Sequence, residues 1–353
     1  MATLSTMNPT LIDVSRVLDP QGKVDKVVNI LQVYNDVLDD IVWMEGNLPT
    51  GHQVTIQTSK PTPYFRLLNQ GIVPQKATTG QITEACGIME NRNQIDINVA
   101  RLNGNTEAFR QSQDRPMIEG FSDLLATKLI YGDSSVTPEE FNGLATRYFT
   151  LGSTYTTSAQ VIDGGGTGSD NTSIWLVCWG EDKVYGIYPK GSKAGLDIQD
   201  LGIQEVTSNA TTGARLRAYE TWMQWQCGLC IADYRYVVRI CNIDVSNLLT
   251  AGDGSDTSAN ILKLMIQALG KIPPRSGTRP VFYMNETVQS MLSVKLLNKS
   301  NVWLAWAKSK GRRSSVLMVC FSSWEFLAVV LMRLRVLNRQ SRLQQRNLNL
   351  NET

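Results

Sequence analysis

Two stretches of alternating polar and apolar residues, Gln53-Val-Thr-Ile-Gln-Thr58 and Gln94-Ile-Asp-Ile-Asn-Val99, decide the fold of this chain. Alternation with a period of two predicts β-strands that bury one face. The segment between them contains few long apolar runs and many turn-forming residues, among them Pro61, Pro63, Gly71, Pro74, Gly80 and Gly87. Structureless segments of this length are uncommon in compact domains and tend to be functional. We therefore expect residues 47–103 to form an extended, apolar-poor loop that becomes ordered against another molecule. A disordered surface loop is the alternative.

Two helices are predicted on the N-terminal side of this loop. Thr10–Asp19 and Val24–Glu45 each carry apolar residues at helical spacing. The sequence Asp19-Pro-Gln-Gly22 predicts a turn between them. The chain should thus enter the loop through a helical N-terminal segment.

The longest predicted helix, Asn105–Tyr131, follows the loop directly. Its apolar residues recur at intervals of three and four, and we place Phe109, Phe121 and Leu125 on its buried face. Pro116 lies inside this segment, which predicts either a kink or a break into two helices.

The chain from this helix to about residue 304 is predicted to be rich in strands with embedded helices. The predicted strands are Ile174–Trp179, Lys183–Pro189, Arg215–Met223, Arg235–Asn242 and Arg279–Asn285. The predicted helices are Pro138–Arg147, Ser258–Gly270 and Glu286–Leu292. Because helices and strands are both frequent without strict alternation, the pattern indicates an α+β fold.

Composition argues against most classes of metabolic enzyme. The 353 residues include 34 Lys+Arg, 32 Asp+Glu and a single histidine, His52, with a formal net charge of +2. A single histidine argues against most hydrolytic triads, most zinc enzymes and most His-based acid–base mechanisms. Near-neutral charge disfavours a protein that binds nucleic acid through a concentrated basic face. No catalytic residues, cofactor site or metal site are predicted.

The six cysteines are scattered along the chain, and we interpret them as reduced thiols. Cys227-Gly-Leu-Cys230 has the spacing of a redox motif, but it lies in an apolar strand-like run rather than at the start of a helix. We interpret both thiols as buried core residues, and a redox enzyme is the weakest of three functional alternatives. Residues 1–10 lack a basic segment followed by an apolar one, so no secretory signal is expected.

The order of the predicted elements resembles the major capsid proteins of tailed bacteriophages with the HK97-type fold. A helical arm, a long extended loop, a long helix and a strand-rich region follow one another, and Phe282-Tyr-Met-Asn285 precedes a helix. The similarity is greatest to capsid proteins of short-tailed phages similar to epsilon15, and it covers about residues 1–304. It implies an N-terminal arm, an extended E-loop hairpin, a P-domain with a spine helix, and an A-domain.

The resemblance also implies domain limits and inter-subunit residues. Its domains would be the N-terminal arm (1–46), the E-loop (47–103), the P-domain with its spine helix (104–172), and the A-domain with the return to the P-domain (173–304). Its inter-subunit residues would be Gln53, Lys60, Tyr64, Phe65, Arg66, Gln70 and Lys76 in the E-loop and Val14, Val17 and Leu18 in the arm. Phe109, Phe121 and Leu125 would form the core side of the spine helix.

The function implied is that of a structural virion protein, made in the host cytoplasm. Such a subunit assembles with itself into hexamers and pentamers of an icosahedral head that encloses double-stranded DNA. The further partners implied are scaffold, decoration and portal proteins and non-specifically packaged DNA, without any membrane.

Residues 305–353 differ in composition from the rest. They hold nine of the 34 Lys+Arg and two of the 32 Asp+Glu, which leaves 25 against 30 in residues 1–304. A body of charge −5 therefore carries a basic tail of charge +7. Its apolar run, Val316–Leu331, makes a membrane-anchored surface protein the alternative function, although the run is at the short limit for a span.

Two other interpretations of the tail remain open. Arginine-rich chain ends can contact packaged DNA. A shifted reading frame is the third interpretation, because codons for Trp306-Ala-Lys-Ser-Lys-Gly311 can spell Gly-Glu-Val-Glu-Gly when displaced by one base. The displaced string resembles the closing segment of these capsid proteins, in which a last strand completes the P-domain sheet.

Overall fold

The computed structural model describes residues 35–102, 106–152, 155–209, 213–251, 260–273, 279–298, 304–308, 315–323 and 326–336. The predicted arm residues Val14, Val17 and Leu18 lie outside these ranges. The helices are α1 (Asp36–Asp40), α2 (Ile97–Arg101), α3 (Thr106–Tyr131), α4 (Val245–Ala251), α5 (Ile261–Lys271) and α6 (Glu286–Asn298). Short 3-10 helices cover Thr156–Gln160 and Tyr234–Tyr236.

Within the described ranges, the strands form three sheets. In chain order they are β1 (Trp43–Glu45), β2 (Gly51–Ser59), β3 (Thr78–Ala85), β4 (Gly87–Asp96), β5 (Val161–Asp163), β6 (Asn171–Cys178), β7 (Val184–Tyr188), β8 (Leu196–Asn209), β9 (Ala214–Ile231), β10 (Val237–Asp244), β11 (Pro280–Met284), β12 (Leu304–Lys308), β13 (Ser315–Ser323) and β14 (Phe326–Val336). The α+β class expected from the sequence is the class observed.

The smallest sheet is a hairpin of β2 and β3. The two strands are antiparallel and run in register from Gly51 opposite Ala85 to Ser59 opposite Thr78. Residues 60–77 connect them. Burial decreases along the hairpin, from the buried Gly51 and Glu84 at its base to fully exposed residues at its far end. The hairpin therefore extends away from the core.

A five-stranded sheet stands at the base of this hairpin. Its order is β1-β7-β9-β4, and β8 also pairs with β9. The 18-residue strand β9 is long enough to pair with β4 and β8 over most of its length and with β7 at its C-terminal end. β4 forms one edge of the sheet, and helix α3 packs near it.

The largest sheet has seven strands in the order β12-β13-β14-β11-β6-β10-β5. The apolar run of β6 is explained by burial on both faces. Ile174 and Leu176 join a cluster with residues of helices α4, α5 and α6, whereas Trp175 and Val177 join a cluster with α3 and the five-stranded sheet. The predicted range 173–304 thus contains strands of both large sheets.

The two alternating strands that flank the predicted loop pair with different partners in the structure. The partner of Gln53–Thr58 is β3, and Gln94 lies in β4, which pairs with β9 instead. Ile97–Val99 is helical rather than extended, because the Asp96 carboxylate accepts a hydrogen bond from the Asn98 N–H and caps α2. The extended hairpin is therefore shorter than residues 47–103.

Two helix predictions were wrong. The helix predicted to end at Glu45 ends at Asp40, since Trp43–Glu45 pairs in parallel with Gly186–Tyr188 of β7. The predicted helix Pro138–Arg147 consists of turns in the structure. There the N–H groups of residues 143–145 donate to carbonyls of Leu129, Ile130 and Gly132 at the end of α3. Helix ends leave such carbonyls without intrahelical donors.

The structure also decides the expectations for Pro116 and for the apolar run of the tail. Helix α3 is continuous through Pro116, so the break into two helices does not occur. The described residues of the apolar run Val316–Leu331 lie in β13 and β14, which pair antiparallel, and are not helical. Among the described residues, no helix combines the length and apolar character needed to cross a bilayer.

Candidate inter-subunit surface

The hairpin tip, residues 60–77, carries most of the predicted E-loop contact residues. Lys60, Tyr64, Phe65, Arg66, Gln70 and Lys76 all lie in it and are exposed. Phe65 is the extreme case, with a relative exposure of 108%. A phenylalanine in that state loses the stabilisation that burial of an aromatic ring supplies.

The tip is also more apolar than the sequence analysis expected. Leu67, Leu68, Ile72 and Val73 are exposed as well, and Leu68 reaches 95%. Contiguous apolar surface of this kind marks interaction sites on soluble proteins. These four residues were missed because they follow neither a helical nor a strand period, and the count of apolar residues in residues 60–77 was the signal that could have identified them.

Local hydrogen bonds give the tip a defined shape without burying its apolar side chains. The Arg66 guanidinium donates to the Gln70 carbonyl at 3.2 Å, and the Gln70 side-chain oxygen accepts from the Leu67 N–H at 3.2 Å. The Gln75 side chain accepts from the Thr62 N–H and donates to the Tyr64 hydroxyl. The tip is thereby preorganised, which lowers the entropy cost of binding.

A buried ion pair fastens one strand of the hairpin base to the body. Arg147 donates from Nη1 and Nη2 to Glu84 Oε1 and Oε2, at 2.5 and 2.6 Å. The Glu84 side chain is only 7% exposed. A bidentate Arg–carboxylate pair fixes direction as well as distance. The pair thus orients β3 relative to the turns that follow α3.

The other strand of the base is held by polar contacts of Gln53 and His52. Gln53 lies in β2 near the base and is bonded to Asn47 and Gln81 of its own chain. His52 Nε2 lies 3.1 Å from the Tyr185 hydroxyl, and its Nδ1 accepts from the Asn47 N–H. Partial burial lowers the pKa of His52, although the nearby Glu84 carboxylate opposes this shift.

The three predicted spine-helix residues lie in α3 and are buried. Phe109 packs in a small cluster with Ile95 and Ala100. Phe121 is buried, and Leu125, fully inaccessible, lies in the central cluster between the two large sheets. These residues attach α3 to the sheet that supports the hairpin.

The cysteine pair has the environment of core residues. Cys227 and Cys230 are buried on β9, and both are free thiols. Burial raises the pKa of Cys230 to about 11, which suppresses the reactive thiolate. Among the described residues, no group of three or more His, Cys, Asp or Glu side chains is placed to hold a metal ion.

Comparison with known proteins identifies the family. The profile of the family "Major capsid protein GP7" matches residues 19–321. No match was found among the curated proteins. A chain of the cryo-EM structure of bacteriophage epsilon15 has a TM-score of 0.73 at 27% identity, over 96% of this chain and 97% of that one.

Two other solved structures are more distant. A chain of the bacteriophage JBD30 capsid has a TM-score of 0.41 at 9% identity, covering 75% of this chain and 84% of that one. A chain of an encapsulin complex from Synechococcus elongatus PCC 7942 has a TM-score of 0.44 at 11% identity, covering 67% and 96%. The fold assignment rests on the epsilon15 chain. With the family match spanning most of the sequence, the chain belongs to the major capsid protein GP7 family and is a structural subunit of a phage virion with the HK97-type fold.

Proposed function

We propose that this subunit joins its neighbours through the hairpin tip, and that head-to-tail repetition of the contact closes into the hexamers and pentamers of an icosahedral shell. The observation that carries this proposal is the exposed apolar tip on an anchored base. A two-stranded hairpin is marginally stable alone in water. A contact between two different surfaces of the same chain closes into a ring when its rotation allows.

The structure suggests a tip deletion that should leave the subunit folded. Ser59 and Thr78 are the last paired residues of the hairpin, so residues 60–77 can be replaced by Asn-Gly. This dipeptide forms the two-residue turn that joins antiparallel strands. No residue of the tip belongs to a buried cluster, so circular dichroism and thermal unfolding should be close to those of the wild type.

The test is negative-stain electron microscopy of the purified protein. Wild-type protein should form capsomers or shells, whereas the tip-deleted chain should remain as folded monomers. The double variant Phe65→Ser/Leu68→Ser keeps the loop length and should show the same loss. Normal shells from both variants would contradict the proposal.

We propose that the predicted arm, residues 1–46, contacts a neighbouring subunit through Val14, Val17 and Leu18. Val37 and Ile41, near its end, are buried in the central cluster of the same chain. Scaffold, decoration and portal proteins and non-specifically bound double-stranded DNA are the remaining partners of the proposal. Nuclease treatment of isolated particles tests the DNA partner. DNA protected inside intact shells is expected, and intact particles without protected DNA would contradict the proposal that the shell encloses DNA.

A further inference from the structure

A cavity with a volume of about 470 Å³ lies where helix α3 ends, between the turns that follow the helix and strand β10. Its lining includes Tyr131, the last residue of α3, Arg147 of the turns, and Arg239 of β10. One carboxylate, that of Asp133, is among the described lining residues, and its Oδ1 accepts from the N–H and the hydroxyl of Ser135. Two arginines are thus present in this lining against one carboxylate.

The Tyr131 hydroxyl is a buried donor. The residue is only 7% exposed, and no residue that the structure describes accepts its proton. The neighbouring Trp175 indole can only donate a hydrogen bond. Burial raises the pKa of Tyr131, so the hydroxyl keeps its proton at neutral pH. Because an unpaired buried donor is costly, this hydroxyl indicates an acceptor that enters the cavity from outside the chain.

Arg239 supplies a positive charge beside this hydroxyl. Its guanidinium lies 5.2 Å from the centre of the Trp175 ring and donates to the Ser173 hydroxyl and the Tyr148 carbonyl. Within the described ranges, no carboxylate forms an ion pair with it. The charge of Arg239 opposes the upward shift in the pKa of Tyr131, which places the two groups close together. The arrangement therefore favours an anionic acceptor.

We propose that this cavity binds a small oxyanion of the phosphate class. Its oxygens accept from the Tyr131 hydroxyl and the Arg239 guanidinium. Arg147 adds a third donor: its Nη groups bind Glu84, but its Nε is buried and has no partner among the described residues. Arginine forms strong charge-assisted hydrogen bonds with phosphate. Since the hydroxyl is buried, the anion enters as a free ion and not as part of a DNA backbone.

A titration of the purified full-length protein with inorganic phosphate, followed by phosphorus NMR at constant ionic strength, measures the binding. The wild type should bind one phosphate per chain. Tyr131→Phe removes only the hydroxyl and should weaken binding about tenfold or more, because a hydrogen bond to a charged group is lost. Arg239→Gln should weaken it further. Arg215→Gln, at an exposed arginine of β9 outside the cavity, is the matched control and should bind as the wild type does.

Thermal unfolding separates ligand binding from a structural role of the hydroxyl. Without phosphate, Tyr131→Phe should unfold at the wild-type temperature or above it, because an unpaired buried group has been removed. Saturating phosphate should stabilise the wild type and have much less effect on Tyr131→Phe. Tyr148→Phe loses the hydrogen bond from Tyr148 to the Tyr234 carbonyl, outside the cavity. It should lose stability but keep the response to phosphate.

Three results would overturn the proposal. The first is no binding of phosphate by the wild type, or equal binding by the wild type and Tyr131→Phe. The second is displacement of phosphate by a short DNA duplex at equal phosphate concentration, since a backbone phosphate would then be the ligand. The third is equal binding of acetate, which would show no preference for phosphate. Shell assembly through the hairpin tip is measured separately, so failure here leaves the proposed function intact.

Discussion

Removal of the Arg147 charge should destabilise the subunit strongly, because Glu84 would be left buried without its partner. The whole Glu84 residue is only 5% exposed, and both of its carboxylate oxygens accept from Arg147. Breaking a buried ion pair from one side costs about 3–5 kcal/mol. Arg147→Met keeps the length of the apolar stem, so the loss should come mainly from the stranded carboxylate.

The double variant separates the charge from the packing. Glu84→Leu together with Arg147→Met replaces both charges with apolar groups of similar size, and such replacements are often neutral or stabilising. Its free energy of unfolding should therefore lie much closer to that of the wild type than the value for Arg147→Met does. Glu84→Gln should fall between them, since Arg147 still donates to the Asn142 carbonyl at 3.3 Å.

Urea unfolding of dissociated subunits, followed by tryptophan fluorescence, measures these differences. The matched control is Arg215→Met, which removes the exposed pair of Arg215 and Glu205, separated by 3.7 Å. Exposed pairs contribute about 0–1 kcal/mol. If Arg147→Met were no more destabilised than Arg215→Met, or the double variant were as unstable as Arg147→Met, the reasoning would be refuted.

Three further predictions concern the body of the subunit. Leu125→Ala should cost about 2–5 kcal/mol of unfolding free energy because Leu125 is fully buried, whereas Leu124→Ala, at a 44% exposed neighbour, should cost far less; equal losses would contradict the assigned helix faces. Gly186→Ala should cost about 1–3 kcal/mol, since the added Cβ would lie 2.6 Å from the Trp43 ring; an unchanged unfolding midpoint would argue against the β1–β7 packing. The single His52 should titrate by NMR with a pKa below its ordinary 6.5. Because the folded state binds this proton less readily than the unfolded chain does, the free energy of unfolding should fall as pH drops from 6.5 through the folded pKa. A measured pKa at or above 6.5 would contradict this.

The sequence pattern predicted the strands of the hairpin region better than their pairing. The alternation of Gln53–Thr58 is a local property, and it correctly indicated β2. The partner strand β3 has a weaker pattern, because most of its residues are exposed on both faces. The pairing of β4 with β9 joins residues more than a hundred positions apart and has no local signal. Trp43–Glu45 likewise forms a strand with β7, although the helical spacing before it predicted that the helix would continue to Glu45.

The residues of the candidate site also divide into those with a local sequence signal and those without one. Lys60, Phe65 and Arg66 could be placed on the loop from sequence, because turn formers surround them. The packing of β4 against α3 could not be predicted, since the two elements meet only through folding. The Glu84–Arg147 pair was also invisible, because neither residue stands in a motif and their 63-residue separation carries no pattern.

The energetics of the proposed contact favour closed rings over isolated pairs. Complete burial of a large apolar side chain contributes about 1.5–3 kcal/mol, so Phe65, Leu67, Leu68 and Val73 together supply on the order of 10 kcal/mol. Loss of translational and rotational freedom on association costs about 4–15 kcal/mol. A single tip contact between two subunits is therefore weak. A subunit that completes a ring makes two such contacts for a single loss of freedom, so rings should form steeply with concentration and with few stable dimers. An anchored base serves this assembly, because the Glu84–Arg147 pair holds the hairpin's direction before the neighbour arrives.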